Sequence, residues 1–348
     1  MERIIRIWAF FLTGLMLLCM LIMSSSESAA LIIEKIDSLR MKNVVLAEPF
    51  PSAAPSAPPS IIPSAPLITE PADESPSPPP AETPLPVLGR EEIQETTISG
   101  GLTIKNETDY PIDIPALLSA GTDIALSPGA PQVLIIHTHS SEAYTPAGLD
   151  RYEASDTHRT EDKEYNIIRV GDELASIYQE AGLNVIHDRG IYDSPSYTGS
   201  YARSGAAIEE YLSRYPEIAI VIDMHRDALG ANGIVYKTMA EEDGVCASQL
   251  MLLVGSDESG LEHPHWRSNL SLALYMQNAV NTAYPTLMRP VSLVPQRYNQ
   301  HLTRGSLILE VGSDGNTLQE ALAAIRLFGK STAPALKELV VEMREEAV

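Results

Sequence analysis

The sequence contains only two cysteines among 348 residues, and this scarcity excludes several kinds of site. Cys19 lies in an apolar N-terminal segment, and Cys246 stands alone far downstream. No disulfide can therefore form within the downstream region. A zinc site built from thiolates is excluded for the same reason.

Basic residues are also few, with 24 Lys and Arg against 46 Asp and Glu, for a net charge of −22. Phosphate binding needs a basic face, so this balance argues against a nucleic-acid partner. It also argues against docking on anionic lipid through the folded region. The sequence has no internal repeat and no glycine-rich phosphate loop.

The N-terminal 90 residues predict an anchor followed by a linker. Residues 7–23 are continuously apolar, and Arg3 and Arg6 precede them. This predicts a transmembrane anchor or signal within residues 1–30, with the remainder of the chain outside the cytoplasm. We favour retention of the anchor over cleavage at the small residues that follow it.

Residues 31–90 predict a juxtamembrane segment and a proline-rich linker, because 14 of the 26 prolines lie between positions 49 and 86. Such a segment cannot bury a core. In a polyproline II conformation it would extend on the order of 100 Å. Residues 91–348 are then left for one catalytic domain.

Apolar periodicity in residues 91–348 predicts alternating strands and helices. The predicted strands are 133–136, 183–187, 218–223, 233–238, 249–255 and 306–311. The predicted helices are 164–181, 199–214, 269–283, 317–328 and 333–346. Alternation of this kind is typical of an α/β fold with a mostly parallel central sheet and helices on both faces.

Residues suited to metal binding or proton transfer follow the buried strands. His139 follows the strand 133–136, His225 follows the strand 218–223, and Glu310 lies near the end of the strand 306–311. Glu164 begins the helix after the first of these strands. The carboxyl ends of parallel strands meet at one edge of a sheet, so these four residues should lie together.

Two histidines and one carboxylate are the ligands of a catalytic zinc site whose fourth position is left to water. We therefore predict that His139, Glu164 and His225 bind Zn²⁺. A further carboxylate is needed to move protons, and Glu310 is the candidate. Each residue also has a structural interpretation. A histidine at a strand end is often structural, Glu164 could simply favour a helix N-terminus, and Glu310 could form an ion pair with a nearby arginine.

His137 is an alternative ligand, because residues 137 and 139 of an extended strand point to the same side. We favour His139, which lies further beyond the strand, and leave His137 as a support or a substrate contact.

Asp223 could orient the ring of His225, as could Asp227. A salt bridge with Arg226 is the other interpretation of these two carboxylates.

A serine hydrolase would use Ser140 or Ser141. Neither residue lies in a Gly-x-Ser-x-Gly turn, which disfavours this mechanism.

Several motifs resemble the stage II sporulation protein P family. They are His-Thr-His-Ser-Ser-Glu-Ala-Tyr-Thr-Pro at 137–146, Asp-Met-His-Arg-Asp-Ala at 223–228, Tyr-Asn-Gln-His-Leu at 298–302, Glu-Val-Gly at 310–312 and Thr-Ile-Ser-Gly-Gly-Leu at 97–102. The resemblance covers roughly residues 95–330. The family is similar to the zinc-dependent N-acetylmuramoyl-L-alanine amidases.

The resemblance implies a hydrolase that cleaves the amide between N-acetylmuramic acid and L-alanine in peptidoglycan, and also peptide cross-links. It implies a zinc amidase architecture, with ligands at His139, Glu164 and His225 and a catalytic residue at Glu310. It further implies action at the sporulation septum during engulfment, with a lytic transglycosylase and a membrane scaffold protein as partners. A zinc peptidase or carboxypeptidase, or a non-catalytic wall-binding module, are the alternative functions.

Overall fold

The computed structural model describes the folded region downstream of the predicted linker. The described residues are 92–96, 98, 102–231, 234–242 and 244–341. The predicted anchor and linker, residues 1–90, lie outside them. Within the described residues, no helix is both long and apolar enough to span a membrane.

The described part of the chain contains eleven strands, five helices and one short 3₁₀ turn. The strands are β1 (Glu92–Thr96), β2 (Ile104–Asn106), β3 (Val133–Ile136), β4 (Val185–His187), β5 (Ile220–Asp227), β6 (Gly230–Ala231), β7 (Ile234–Glu242), β8 (Val245–Ser248), β9 (Leu250–Gly255), β10 (Val291–Val294) and β11 (Gly305–Ser313). The helices are α1 (Ile114–Ala120), α2 (Ile167–Glu180), α3 (Ser200–Arg214), α4 (Trp266–Ala283) and α5 (Leu318–Glu338), and the 3₁₀ turn is Gln300–Leu302.

Capping side chains account for where α2 and α5 begin. The side chain of Asn166 accepts a hydrogen bond from the backbone N–H of Ile168 and caps α2. Thr317 and Glu320 form a reciprocal capping box at the start of α5. The predicted helix 317–328 and the start of the predicted helix 333–346 belong to one continuous helix, Leu318–Glu338, which contains Pro334 in its last turns.

The central sheet has seven strands in the order β2-β10-β9-β11-β5-β3-β4. The strands β11, β5, β3 and β4 are mutually parallel, and so are β9, β10 and β2. The two groups run antiparallel to each other where β9 meets β11.

The sheet is therefore mixed, which corrects the prediction of a mostly parallel sheet. The physical reason lies in the connection between β5 and β9. It consists of strands β6, β7 and β8 rather than a crossover helix, so it does not return the chain in the parallel direction. Strands β7, β6 and β8, together with β1, form a second, four-stranded sheet.

Helices cover both faces of the central sheet, as predicted. One face packs against α2, α4 and α5 and contains most of the apolar core. On the other face, Ile208 of α3 packs with Leu134, Ile136 and Val221 in a smaller cluster. This second face is also the one that carries the polar side chains described next.

Candidate metal and acid–base site

Three neighbouring strands bring the candidate residues to one edge of the sheet. His137 to His139 follow the last residue of β3, while Asp223 and His225 lie in β5 and Glu310 lies in β11. His225 is the register partner of Glu310. Residues that face each other across two strands project from the same side of a sheet, so these two side chains share one face.

The described residues contain one group suited to hold a metal ion, formed by His139, Glu142 and His225. All three side chains are buried, and their ligand atoms lie within 4.8 Å of one another. The carboxylate of Glu142 lies between the two imidazoles. Its Oε1 is 3.4 Å from Nδ1 of His139, and its Oε2 is 3.5 Å from Nδ1 of His225.

These distances fit a tetrahedral zinc ion. Ligand atoms about 2.0–2.1 Å from such an ion lie roughly 3.3–3.5 Å from each other. The same distances are long for direct hydrogen bonds. The two imidazoles and the carboxylate therefore have the chemistry of three zinc ligands, and their ligand atoms lie close enough together to share one ion.

Glu142 is held by a tight turn and by the strand beside it. Its backbone N–H donates to the carbonyl of His139, and its Oε2 accepts from the backbone N–H of Arg226. Burial alone would raise the pKa of Glu142. Contacts with His139 and His225 outweigh burial and hold that pKa well below its usual range.

Asp223 supports His225 from the opposite side of the ring. Its Oδ1 lies 3.0 Å from Nε2 of His225, an ion-pair distance, although the ring is not aligned for a hydrogen bond. Both oxygens of Asp223 accept hydrogen bonds from Thr138. A carboxylate behind a metal-binding imidazole orients the ring, and this was the role considered for Asp223 from the sequence.

The pKa of His225 is raised well above its ordinary value. Burial would lower it, but the carboxylates of Asp223 and Glu142 favour the charged ring more strongly. The same two carboxylates would favour a bound cation in place of that proton.

Glu164 does not reach this group, which corrects its predicted role as a ligand. Its side chain is 68% exposed and lies 3.7 Å from Nη2 of Arg189. Helix α2 begins at Ile167, after the Asn166 cap, so Glu164 belongs to the loop before the helix. The carboxylate comes instead from Glu142, three residues after His139.

His137 is buried behind the group and is turned away from it. Its Nδ1 lies 3.1 Å from the carbonyl oxygen of Met224, and its Nε2 lies 2.8 Å from Nε2 of His187. The strand ends at Ile136, so residues 137 and 139 do not point to the same side. Burial, followed by the nearby His187, lowers the pKa of His137 to about 3 and keeps its ring neutral.

Arg226 is a structural support of the loop that carries Glu142. Its guanidinium donates to the carbonyls of Ala143 and His158. Asp223 does not pair with it. Asp227, the other carboxylate considered beside His225, lies 2.8 Å from Nη1 of Arg289.

The two serines are engaged in structural hydrogen bonds. Ser140 donates to the carbonyl of His137, and Ser141 donates to the carboxylate of Asp193. Neither hydroxyl has a histidine as its acceptor in these contacts, so the structure offers no support for the serine mechanism.

Glu310 has an oxygen, Oε2, that is buried and has no hydrogen-bond partner among the described residues. Burial, together with the carboxylates of Asp227 and Glu142, raises the pKa of Glu310 to about 8, against the opposing effect of His225. An acid–base residue is most effective when its pKa lies near the working pH. Glu310 therefore has the environment expected for its predicted role.

Two tyrosines that the sequence analysis did not single out form walls of the site. Tyr197 stacks on the ring of His139, with centroids 4.5 Å apart, and Tyr201 meets the same ring edge-on at 5.4 Å. Both lie near the start of α3. No apolar strand precedes them directly, so the pattern that located the other site residues does not mark them. Glu142, by contrast, could have been found, since a carboxylate three residues from a histidine can share a turn with it.

The sequence profile of the family described as Stage II sporulation protein P (SpoIIP) matches residues 86–332. A curated relative from Bacillus subtilis (strain 168), "Stage II sporulation protein P", is 25% identical over 252 residues. The alignment covers 69% of this chain and 58% of the relative, so the chain spans less than two thirds of that protein's length.

Solved structures with a similar fold include the N-acetylmuramoyl-L-alanine amidase AmiC2 of Nostoc punctiforme. It has 11% sequence identity and a TM-score of 0.37, and the match covers 61% of this chain and 99% of that one. Another is the N-acetylmuramyl-L-alanine amidase Ami1 from Mycobacterium smegmatis, with 13% identity, a TM-score of 0.36, and coverage of 61% and 98%. The family match, which extends over most of this chain, confirms the resemblance drawn from the motifs: the protein belongs to the Stage II sporulation protein P family.

Proposed function

We propose that this protein is a zinc-dependent peptidoglycan hydrolase that cleaves the amide between N-acetylmuramic acid and L-alanine. The observation that carries this proposal is the placement of Glu142 between the imidazoles of His139 and His225, with Glu310 on the adjacent strand. Membership of the family supports a role in sporulation.

Zinc at this site would polarise the scissile carbonyl and lower the pKa of a water molecule to about 7. The three ligands would be His139, Glu142 and His225. Asp223, itself fixed by Thr138, keeps the ring of His225 in place. Glu310 takes up and returns protons, which its pKa of about 8 allows near neutral pH.

We also propose that the chain is anchored in the cytoplasmic membrane by residues 1–30, with residues 91–348 on the extracytoplasmic side. The apolar run and the arginines before it support this proposal. Cleavage of peptide cross-links, and partnership with a lytic transglycosylase and a membrane scaffold protein at the septum, are further proposals. They rest on the family alone.

The test is release of peptides from isolated peptidoglycan by the purified full-length chain. We expect a chelator to stop release. Glu310→Gln should reduce its rate by at least about 100-fold through loss of an acid–base group, and Glu142→Gln by a similar factor through loss of a metal ligand. The matched control is Glu164→Gln, which replaces an exposed carboxylate of the same loop region and should keep wild-type activity.

Mass analysis of the released fragments identifies the bond that is cut. Peptides that begin with a free L-alanine amine indicate cleavage next to muramic acid, whereas cuts only within the peptides indicate a zinc peptidase. Full activity of Glu142→Gln together with loss of activity in Glu164→Gln would refute the ligand set proposed here.

A further inference from the structure

Arg289 is a buried cation with no part in the proposed metal binding or proton transfer, although its charge opposes the rise in the pKa of Glu310. It lies just before β10, and its side chain is only 4% exposed. Its backbone N–H donates to the carbonyl of Leu250, which fixes the residue against the start of β9. A fully charged guanidinium in such a place needs acceptors for its N–H groups.

Only part of that requirement is met within the described residues. Nη1 of Arg289 donates to Oδ2 of Asp227 at 2.8 Å. The remaining nitrogens, Nε and Nη2, are buried and have no hydrogen-bond partner among the described residues. A buried N–H donor without a hydrogen bond lowers the stability of a protein, so Nε and Nη2 of Arg289 need an acceptor.

The geometry of the free edge selects the acceptor. Nε and Nη2 of an arginine lie along the same edge of the planar guanidinium, and one N–H group of each points outward from that edge in a nearly parallel direction. This arrangement matches the two oxygens of a carboxylate, which arginine binds through paired, charge-assisted hydrogen bonds. A single carbonyl oxygen would satisfy only half of it.

Arg289 lines a groove of about 800 Å³ on the face of the sheet that carries Glu310. Met251 and Leu253 of β9 form its floor, and Met251 is the register partner of Glu310. Tyr298, whose ring centroid lies 5.4 Å from that of Tyr201, forms part of its wall. The groove therefore begins beside the acid–base residue and extends along the sheet.

We propose that the Nε and Nη2 edge of Arg289 binds a free carboxylate of the peptide portion of the substrate, which lies in this groove. The assignment rests on the proposed activity towards peptidoglycan, whose peptides carry free carboxylates. A chain with a net charge of −22 repels anions overall, so recognition of an anionic peptide requires a specific cation. Arg289 supplies it in the groove that begins beside Glu310.

Lys105 offers a matched control because it is a cation that lines the same groove. Its side chain is 69% exposed and lies 2.6 Å from Oε1 of Glu107. Exposed ion pairs of this kind contribute little to binding or stability. Replacement of Lys105 removes a positive charge from the groove and leaves the buried Nε and Nη2 donors of Arg289 in place.

The experiment measures binding of two synthetic stem peptides to the full-length protein by isothermal titration calorimetry. One peptide has free carboxylates, and the other carries primary amides in their place. We expect the wild type to bind the acid about 10- to 100-fold more tightly than the amide, the effect of losing charge-assisted hydrogen bonds. Arg289→Met should abolish this preference, and Lys105→Met should keep it.

Arg289→Lys retains the charge near Asp227 but lacks the paired Nε and Nη2 donors. Most of the preference for the acid peptide should therefore disappear in a protein that still folds. This variant decides the question if Arg289→Met fails to fold in a thermal unfolding test. Equal binding of the two peptides by the wild type, no binding of either, or an unchanged preference in the folded Arg289 variants would each overturn the proposal.

Hydrolysis of isolated peptidoglycan by the wild type is measured alongside the binding experiment. The hydrolase proposal and the Arg289 proposal can then be contradicted independently of each other. Wall cleavage without a carboxylate preference would overturn the Arg289 assignment and leave the hydrolase in place. An Arg289-dependent preference without wall cleavage would leave the carboxylate site in place and overturn the hydrolase.

Discussion

At the residue scale, two carboxylates hold His225 from opposite sides. Glu142 approaches its Nδ1 at 3.5 Å, and Asp223 approaches its Nε2 at 3.0 Å. The first oxygen has the spacing of a shared metal ligand, and the second that of a support behind the ring. The charge of His225 and the position of its ring therefore depend on both neighbours.

Glu310 should make the metal-free protein sensitive to alkaline pH. Its folded-state pKa of about 8 lies above its ordinary value of 4.5, chiefly because of burial. The folded state therefore binds this proton more tightly than the unfolded state, and the resulting stability is fully present below about pH 4.5. It is lost as pH rises through 8.

The measurement is denaturant unfolding of the metal-free protein at several pH values. The wild type should lose free energy of unfolding between pH 5 and pH 9 as Glu310 ionises, by on the order of 3 kcal/mol. The Glu310→Gln variant has no carboxyl group at this position, so it should not show this loss. Parallel pH curves for the two proteins would contradict the assignment of the raised pKa.

At the scale of elements, helix α2 packs closely over the buried pair of His137 and His187. A Cβ at Gly171 would lie 2.6 Å from Nε2 of each histidine, which no real side chain tolerates. Glycine is therefore required here by the close approach of the helix to the rings, although it costs helix propensity.

We expect Gly171→Ala to destabilise the protein by about 1–3 kcal/mol, the usual cost of overpacking, despite the better helix propensity of alanine. Thermal or denaturant unfolding measures it. Ser176→Ala, at an exposed position of the same helix, is the control and should change the stability by less than about 0.5 kcal/mol. An alanine variant at 171 as stable as the wild type would show that the helix can shift away.

Element boundaries also explain which site residues the sequence predicted. Apolar runs ending in polar residues located β3, β5 and β11, and with them His139, His225 and Glu310. Glu164 was assigned to a helix that in fact begins at Ile167. Glu142 lies in a turn that places its carboxylate beside both histidines, and no strand-end pattern marks it in the sequence.

At the scale of the whole molecule, the proposed metal site joins segments that are distant in the chain. His139 and Glu142 lie in the loop after β3, and His225 lies in β5. The unfolded chain cannot bring these three ligands together, so bound zinc should stabilise the folded state by linkage.

We expect zinc at about 100 times its dissociation constant to add about 2.7 kcal/mol of stability. For a folded region of this size, that corresponds to a rise in Tm of roughly 5–10 °C. Differential scanning calorimetry with and without a chelator measures the shift. His225→Ala should remove it and Glu164→Gln should keep it, whereas a shift retained in His225→Ala would place the zinc elsewhere.

The direction of β9 and β10 is a second property of the whole molecule with consequences for the site. Because these strands run antiparallel to β11, the start of β10 lies at the same edge of the sheet as the end of β5. This brings Arg289 to Asp227 and beside the groove. A purely parallel sheet would have placed the residues before β10 at the opposite edge.

The sequence by itself determined the family, the α/β alternation and the strands in or after which His139, His225 and Glu310 lie. It did so because burial imposes apolar patterns that local sequence records. The tertiary structure alone decided that Glu142 rather than Glu164 lies beside His139 and His225, that His137 turns away, and that Arg289 lines the groove. These outcomes depend on turn geometry and on strand direction, which are set by packing between distant segments and leave no periodic signal in the chain.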